Sequence, residues 1–155
     1  MPVLALTEAA SLLPARGALI GLDLGSKTIG VAVSDPDRRL AAPVETIFRK
    51  RFNLDAERLF ALAGERRAVG FVLGLPVNMD GSEGPRAQST RAFARNLAKL
   101  TELPIALWDE RLSTAAVTRE MIAADVTRKR RAAIVDKVAA AYILQGCLDA
   151  IGQPR

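Results

Sequence analysis

Two apolar stretches, Ala18 to Leu24 and Ile29 to Ser34, are separated by only four residues, Gly25-Ser26-Lys27-Thr28. A connection that short makes an antiparallel hairpin. The later apolar stretches are spaced differently. Ala68 to Leu75 follows a segment with helical spacing, Phe52 to Ala63, which should stop at Gly64, and Pro104 to Glu110 follows another, Arg86 to Leu100. A strand reached through a helix returns as a parallel neighbour. With Leu40 to Phe48 as a third strand, the order predicts an α/β fold. Its sheet is mixed and five-stranded, with strands 1–3 in an antiparallel meander, strands 4 and 5 parallel to strand 1, and helices on its flanks. Two helices close the chain: one through Ala123 with Ser113 as its N-cap, and one from Ala133 to Ile151 that opens near Asp136.

At 155 residues the chain is long enough for one self-sufficient core. Residues 17–152 should form a single domain. Residues 1–16 read as an extension with one weak helical turn, Thr7 to Leu13, stopped by Pro14. No apolar run is long enough to cross a bilayer, and the amino terminus lacks the pattern of a signal peptide. Cys147 is the only cysteine, so no intrachain disulfide can form and a reducing cytoplasm is the expected location.

Histidine is absent altogether, which removes imidazole general-base catalysis. Any hydrolytic site must then use carboxylates, hydroxyls, lysine or metal. Lysine and arginine exceed aspartate and glutamate by 22 − 17 = 5. That surplus favours an anionic partner, of which nucleic acid is the commonest. Its distribution is uneven. Residues 111–131 carry six positive charges against two negative, ending in the run Arg128, Lys129, Arg130, Arg131. Residues 125–131 read as a basic linker with both ends tethered near the acids described next, which suits a clamp on a polyanion.

Three acids stand out. Asp23 lies in an apolar strand whose alternation puts Leu19, Gly21 and Asp23 on one face and Ile20, Leu22 and Leu24 on the other. A carboxylate there is costly unless it is paired, hydrogen-bonded or metal-bound; capping the following turn would also account for it. Glu110 ends another strand, and alternation places Asp109 and Glu110 on opposite faces without selecting between them. The carboxyl end of a parallel strand is the usual site position in open α/β sheets. Asp136 fits the first turn of the closing helix, where an acid complements the helix dipole. The small residues Ala139, Ala140 and Ala141 would let that helix settle closely on the sheet and bring Asp136 to the strand ends.

Three acids at one sheet edge repel one another unless a cation lies among them. Magnesium or manganese suits all-oxygen ligation of that kind, and a pair of such ions can cleave a phosphodiester. Gly74 to Arg86 is a second concentration of signal, with a loop of about ten residues, long for such a connection. Asn78, Ser82 and Arg86 are candidates for phosphate or sugar contact there, and Asp80 reads as a turn residue. Lys27 and Arg111, each beside one of the acids, join the candidates for substrate contact.

The segments "GLDLGSKTIGVAVSD", "GLPVNMDGSEGP", "DERLST" and "DKVAAAYIL", in that order, make the chain similar to the YqgF family, also called RuvX-like, from about Gly17 to Cys147. The resemblance implies a ribonuclease H-like fold. It also implies that Asp23, Glu110 and Asp136 are catalytic, metal-binding acids, and it selects Glu110 over Asp109. The implied activity is metal-dependent hydrolysis of structured RNA, maturing the 5′ end of precursor 16S ribosomal RNA. Resolution of DNA Holliday junctions is the alternative. "DLGSKTIG" also resembles the first phosphate loop of actin-like ATPases and sugar kinases, although those hold nucleotide between two such domains.

Overall fold

The computed structural model describes residues 3–112 and 128–152, with backbone only for Thr7 and residues 128–135. In chain order the elements are β1 (Val3–Leu4), α1 (Leu6–Leu12), β2 (Ala18–Leu24), β3 (Thr28–Ser34), β4 (Ala41–Phe48), α2 (Phe52–Arg66), β5 (Ala68–Leu75), α3 (Pro85–Ala98), β6 (Ile105–Asp109), a 3-10 turn (Glu110–Leu112) and α4 (Arg128–Gly152). One mixed sheet runs β1-β6-β5-β2-β3-β4. β2, β3 and β4 form the expected antiparallel meander, while β5 lies parallel to both β2 and β6.

Among the described residues the sheet has six strands, not the five expected. Val3 and Leu4 pair in parallel with Ile105 and Ala106. Two residues are too few to show an alternation, so periodicity could not reveal this strand. The amino-terminal stretch is also tied to the turn after β3, where Arg38 donates to the carbonyls of Pro14 and Gly17.

Strict alternation in β2 divides the core into two layers. Ile20, Leu22 and Leu24 pack with Leu59, Phe93 and Leu97 of α2 and α3 on one face. Leu19 packs with Ala140, Leu144 and Cys147 of α4 on the other. The α4 face is crowded because two glycines leave room for the helix. A Cβ on Gly21 would come within 2.7 Å of the Leu144 Cβ, and one on Gly30 would run into the Asp136 carbonyl. Ala139 and Ala140 are fully buried in this contact.

Three boundaries differ from expectation. α2 runs past Gly64 and ends where Arg67 turns left-handed, φ 52°, its amide reaching back to the Gly64 carbonyl. Glycine lowers helix propensity but does not by itself stop a helix packed on a sheet. α4 begins at Arg128, so the basic run 128–131 is its first turn and not a linker, and Asp136 is its ninth residue and does not open it. Arginine and lysine are good helix formers, and a charge run carries no stop signal. β6 ends at Asp109, which puts Glu110 in the 3-10 turn. The helix expected from Ser113 to Ala123 lies outside the described residues.

Candidate active site

β2, β5 and β6 are parallel, so their carboxyl ends open on one edge of the sheet. The start of β3 and the end of β4 reach the same edge, as does the amino end of α3, which follows β5. Asp23 is 2% exposed near the end of β2. It is the cross-strand partner of Gly30, and opposed residues of an antiparallel pair share a face. The missing side chain of Gly30 is where the Asp136 backbone sits. Asp23 and the backbone of Asp136 therefore lie on the same face of the sheet, over neighbouring strands.

Asp136 is held there by Thr28, whose hydroxyl donates to its Oδ2. Thr28 belongs to the same face as Gly30, two residues along β3. Close packing of glycine against helix and this bond together fix where the carboxylate stands.

Glu110 is half-buried on a different support. β6 is the second strand from β2, about 10 Å away at ordinary strand spacing. Glu110 lines a depression of about 260 Å³ with Val77, Asn78 and Arg86. Asp136 lines a larger cavity, about 570 Å³, with Lys27, Thr28, Arg49 and Arg86. Arg86 is common to both. Among the described residues, no three acids or cysteines close into a ready-made metal cluster. The donor chemistry of Asp23 and Asp136, oxygens on one face, fits a hard divalent cation. Glu110 lines the other depression.

Asp109 and Arg111 pair at this strand end. Arg111 donates to both carboxylate oxygens of Asp109, Nη2 to Oδ2 at 2.7 Å, and its Nη1 donates to the Asn78 carbonyl at 3.1 Å. That guanidinium, aided by the Arg111 amide, holds the Asp109 carboxyl below the usual carboxylate range against the effect of partial burial. Asp109 thus serves to anchor Arg111, and Arg111 to strap the loop after β5.

That loop is internally bonded. The Asn78 side chain donates to the Ser82 hydroxyl at 3.0 Å, and the Ser82 hydroxyl and amide both donate to Asp80. Those bonds hold the Asp80 carboxyl below its ordinary value, as a turn residue. Glu83 pairs with Arg91 of α3 at 2.5 Å. Pro85 at the first helical position then starts α3 and sets Arg86 in its first turn. Arg86 Nη2 reaches the Leu24 carbonyl at 3.4 Å. Lys27 lines the cavity from the β2–β3 turn. The side chains of Arg128, Lys129, Arg130 and Arg131 lie outside the described residues.

Arg49 was not singled out from the sequence. It follows Phe48, the residue that pairs with Thr28. A signal existed: Arg49, Lys50 and Arg51 form a basic run at the end of a strand whose partner starts beside the Asp23 turn.

A family model described as RuvX, Holliday junction resolvase, matches residues 17–150. The chain belongs to the RuvX family. It is 71% identical over 154 residues to a protein of Bradyrhizobium sp. (strain BTAi1) named "Putative pre-16S rRNA nuclease", covering 99% of this chain and 96% of that one. A protein of Rhodopseudomonas palustris (strain BisA53) with the same name is 74% identical over 148 residues, covering 96% and 91%. Among solved structures, T. thermophilus RuvC in complex with a Holliday junction substrate superposes with a TM-score of 0.55 at 13% identity, covering 88% of this chain and 96% of RuvC. The RuvX chain therefore has the mixed, helix-flanked, ribonuclease H-like fold that its resemblance implied.

Proposed function

We propose that this RuvX protein is a nuclease that hydrolyses phosphodiester bonds in structured RNA, with precursor 16S ribosomal RNA as its substrate and magnesium or manganese as its cofactor. The observation that supports the reading is that Asp23 and the α4 backbone at Asp136 share one face of the sheet, at the carboxyl edge of the parallel strands. Relatives above 70% identity bear the name of a pre-16S ribosomal RNA nuclease, which supports the choice of substrate.

Asp23 and Asp136 would hold the cation, with Glu110 as the third acid. When bound, such an ion supplies Lewis-acid stabilisation and an activated water. The chain's own residues do the rest. Burial of Asp23 keeps its carboxylate oriented and away from bulk water. Thr28 fixes the Asp136 carboxylate by donating to one oxygen. Lys27 and Arg86 place positive charge beside the acids, where a polyanionic strand would otherwise be repelled. No helix of the described residues is long and apolar enough to cross a membrane, and a cytoplasmic location accords with a ribosomal precursor as substrate.

The deciding experiment is cleavage of precursor RNA with magnesium or manganese by wild type and by Asp23→Asn. Activity should fall to background in the variant; equal activity rejects the mechanism. The family description favours a second reading, resolution of DNA junctions. Paired incisions need two sites, most simply a C2 dimer. A strict monomer in sedimentation with junction DNA bound would count against it.

A further inference from the structure

The 570 Å³ cavity beside Asp136 lies in the range of small-ligand pockets, and three cations line it. Lys27 comes from the β2–β3 turn, Arg86 from the first turn of α3, and Arg49 from the end of β4. Among the described residues, ion pairs engage Arg16, Arg58, Arg91 and Arg111, and none of these three. The one acid in the lining, Asp136, already accepts the Thr28 hydroxyl. Among the described residues, the lining thus carries three cations against one acid.

Arg49 is the most firmly placed of the three. Its amide donates to the Lys27 carbonyl at 2.8 Å, and the next amide, Lys50, donates to the buried Asp55 at 3.2 Å. Its Nη1 donates to the Gly25 carbonyl at 2.6 Å. The guanidinium lies 5.7 Å over the Phe93 ring, within cation–π range. A guanidinium has five N–H donors in a fixed fork, and the turn carbonyl takes one. The remaining donors belong to a side chain that lines the cavity beside Asp136 and is held at two points, and a planar fork of that kind suits a phosphate.

We infer that Arg49, with Lys27 and Arg86, forms a subsite for a non-scissile phosphate of the substrate strand, so that Arg49 is a positioning residue that sets where the strand lies against Asp23 and Asp136. The inference deepens the nuclease reading and rests on it for the identity of the strand. Arg49 does not touch the scissile bond in this arrangement. It fixes the neighbouring linkage, which aligns the bond to be cut.

The test is binding of a short single-stranded RNA by fluorescence anisotropy in EDTA, across a series of salt concentrations, for wild type, Arg49→Gln, Arg49→Lys and Lys27→Met. Losing one charge-assisted phosphate contact should weaken binding about tenfold. The slope of log affinity against log salt should become shallower by about 0.7 for that phosphate on a single strand. Arg49→Lys should recover the slope because it keeps the charge. Lys27→Met, which leaves the Gly25 carbonyl bond intact, should flatten the slope in the same way. A role confined to bracing the turn would weaken binding with the slope unchanged. Unchanged slopes in both Arg49→Gln and Lys27→Met, with wild type still cleaving, overturn the subsite alone. Flattened slopes in a protein that does not cleave would leave the subsite standing and remove the nuclease. A wild-type protein that neither binds nor cleaves overturns both.

Discussion

Around Asp23 and Asp136 the chain is held by its core: glycine against helix backbone, alanine against sheet, and one hydroxyl bond from Thr28 to Asp136. Where Glu110 stands, the chain is held by turns and surface ion pairs, with Arg111 strapped between Asp109 and the loop after β5, and Glu83 paired to Arg91. Packed interiors respond to single atoms, whereas exposed ion pairs contribute little and are screened. One side of the site should therefore behave as part of the global fold and the other as a local device. If the three acids work together as proposed, two of them rest on the core and the third on a surface turn.

The largest effect should come from Gly30→Ala. The added Cβ meets the Asp136 backbone carbonyl, which cannot rotate out of the way. Overpacking of that kind costs about 3 kcal/mol, close to the upper end of what a single core methyl does. Urea unfolding should show the loss as a lower midpoint. Cys147 gives an independent reading from the same helix. It is fully buried on the α4 face, and burial pushes its thiol up to about 12. Thiol labelling should be slow in wild type and speed up in Gly30→Ala as α4 lifts. An unchanged midpoint together with unchanged labelling would show that the glycine contact does not hold the acids together.

Thr28→Val should come next. It keeps the shape of a buried side chain and removes the donor to Asp136, at about 1.5–3 kcal/mol for a bond to a charged group. Cleavage should drop by more than stability does, because the carboxylate loses its orientation while α4 remains docked. Thr28→Ser should restore activity. Were Thr28→Val as active as wild type, packing alone would be enough to place Asp136.

The difference between the two sides also explains what could be read from the sequence. The meander, the parallel strands and the two faces of β2 follow from spacing and alternation, which are properties of apolar residues. The close approach of α4 to the sheet was foreshadowed by Ala139 to Ala141, because small residues mark close approach. Charged residues carry no such period. Arg111 read from the sequence as a candidate for substrate contact, and only the fold shows Asp109 as its partner. The run 128–131 looked like a linker because charge hides helix propensity. Arg49 was missed because its role depends on which strand β4 pairs with, and at which register.

The smallest effect, and the sharpest test of the contrast, is Asp109→Asn. Arg111 holds the Asp109 carboxyl below its ordinary value, so the charged pair favours the folded loop above the unfolded carboxylate value of about 3.9. That contribution fades as pH falls through the lower native value of Asp109. In Asp109→Asn it is gone at every pH. Hydrogen exchange at the loop amides, Gly81 and Ser82 among them, should be faster in the variant near neutrality, and the two proteins should converge at acid pH. The global unfolding midpoint should barely move, in contrast to Gly30→Ala. If Asp109→Asn instead lowers the midpoint as far as Gly30→Ala does, the Glu110 side belongs to the same cooperative unit as the Asp23 side, and its acid is as fixed as the other two.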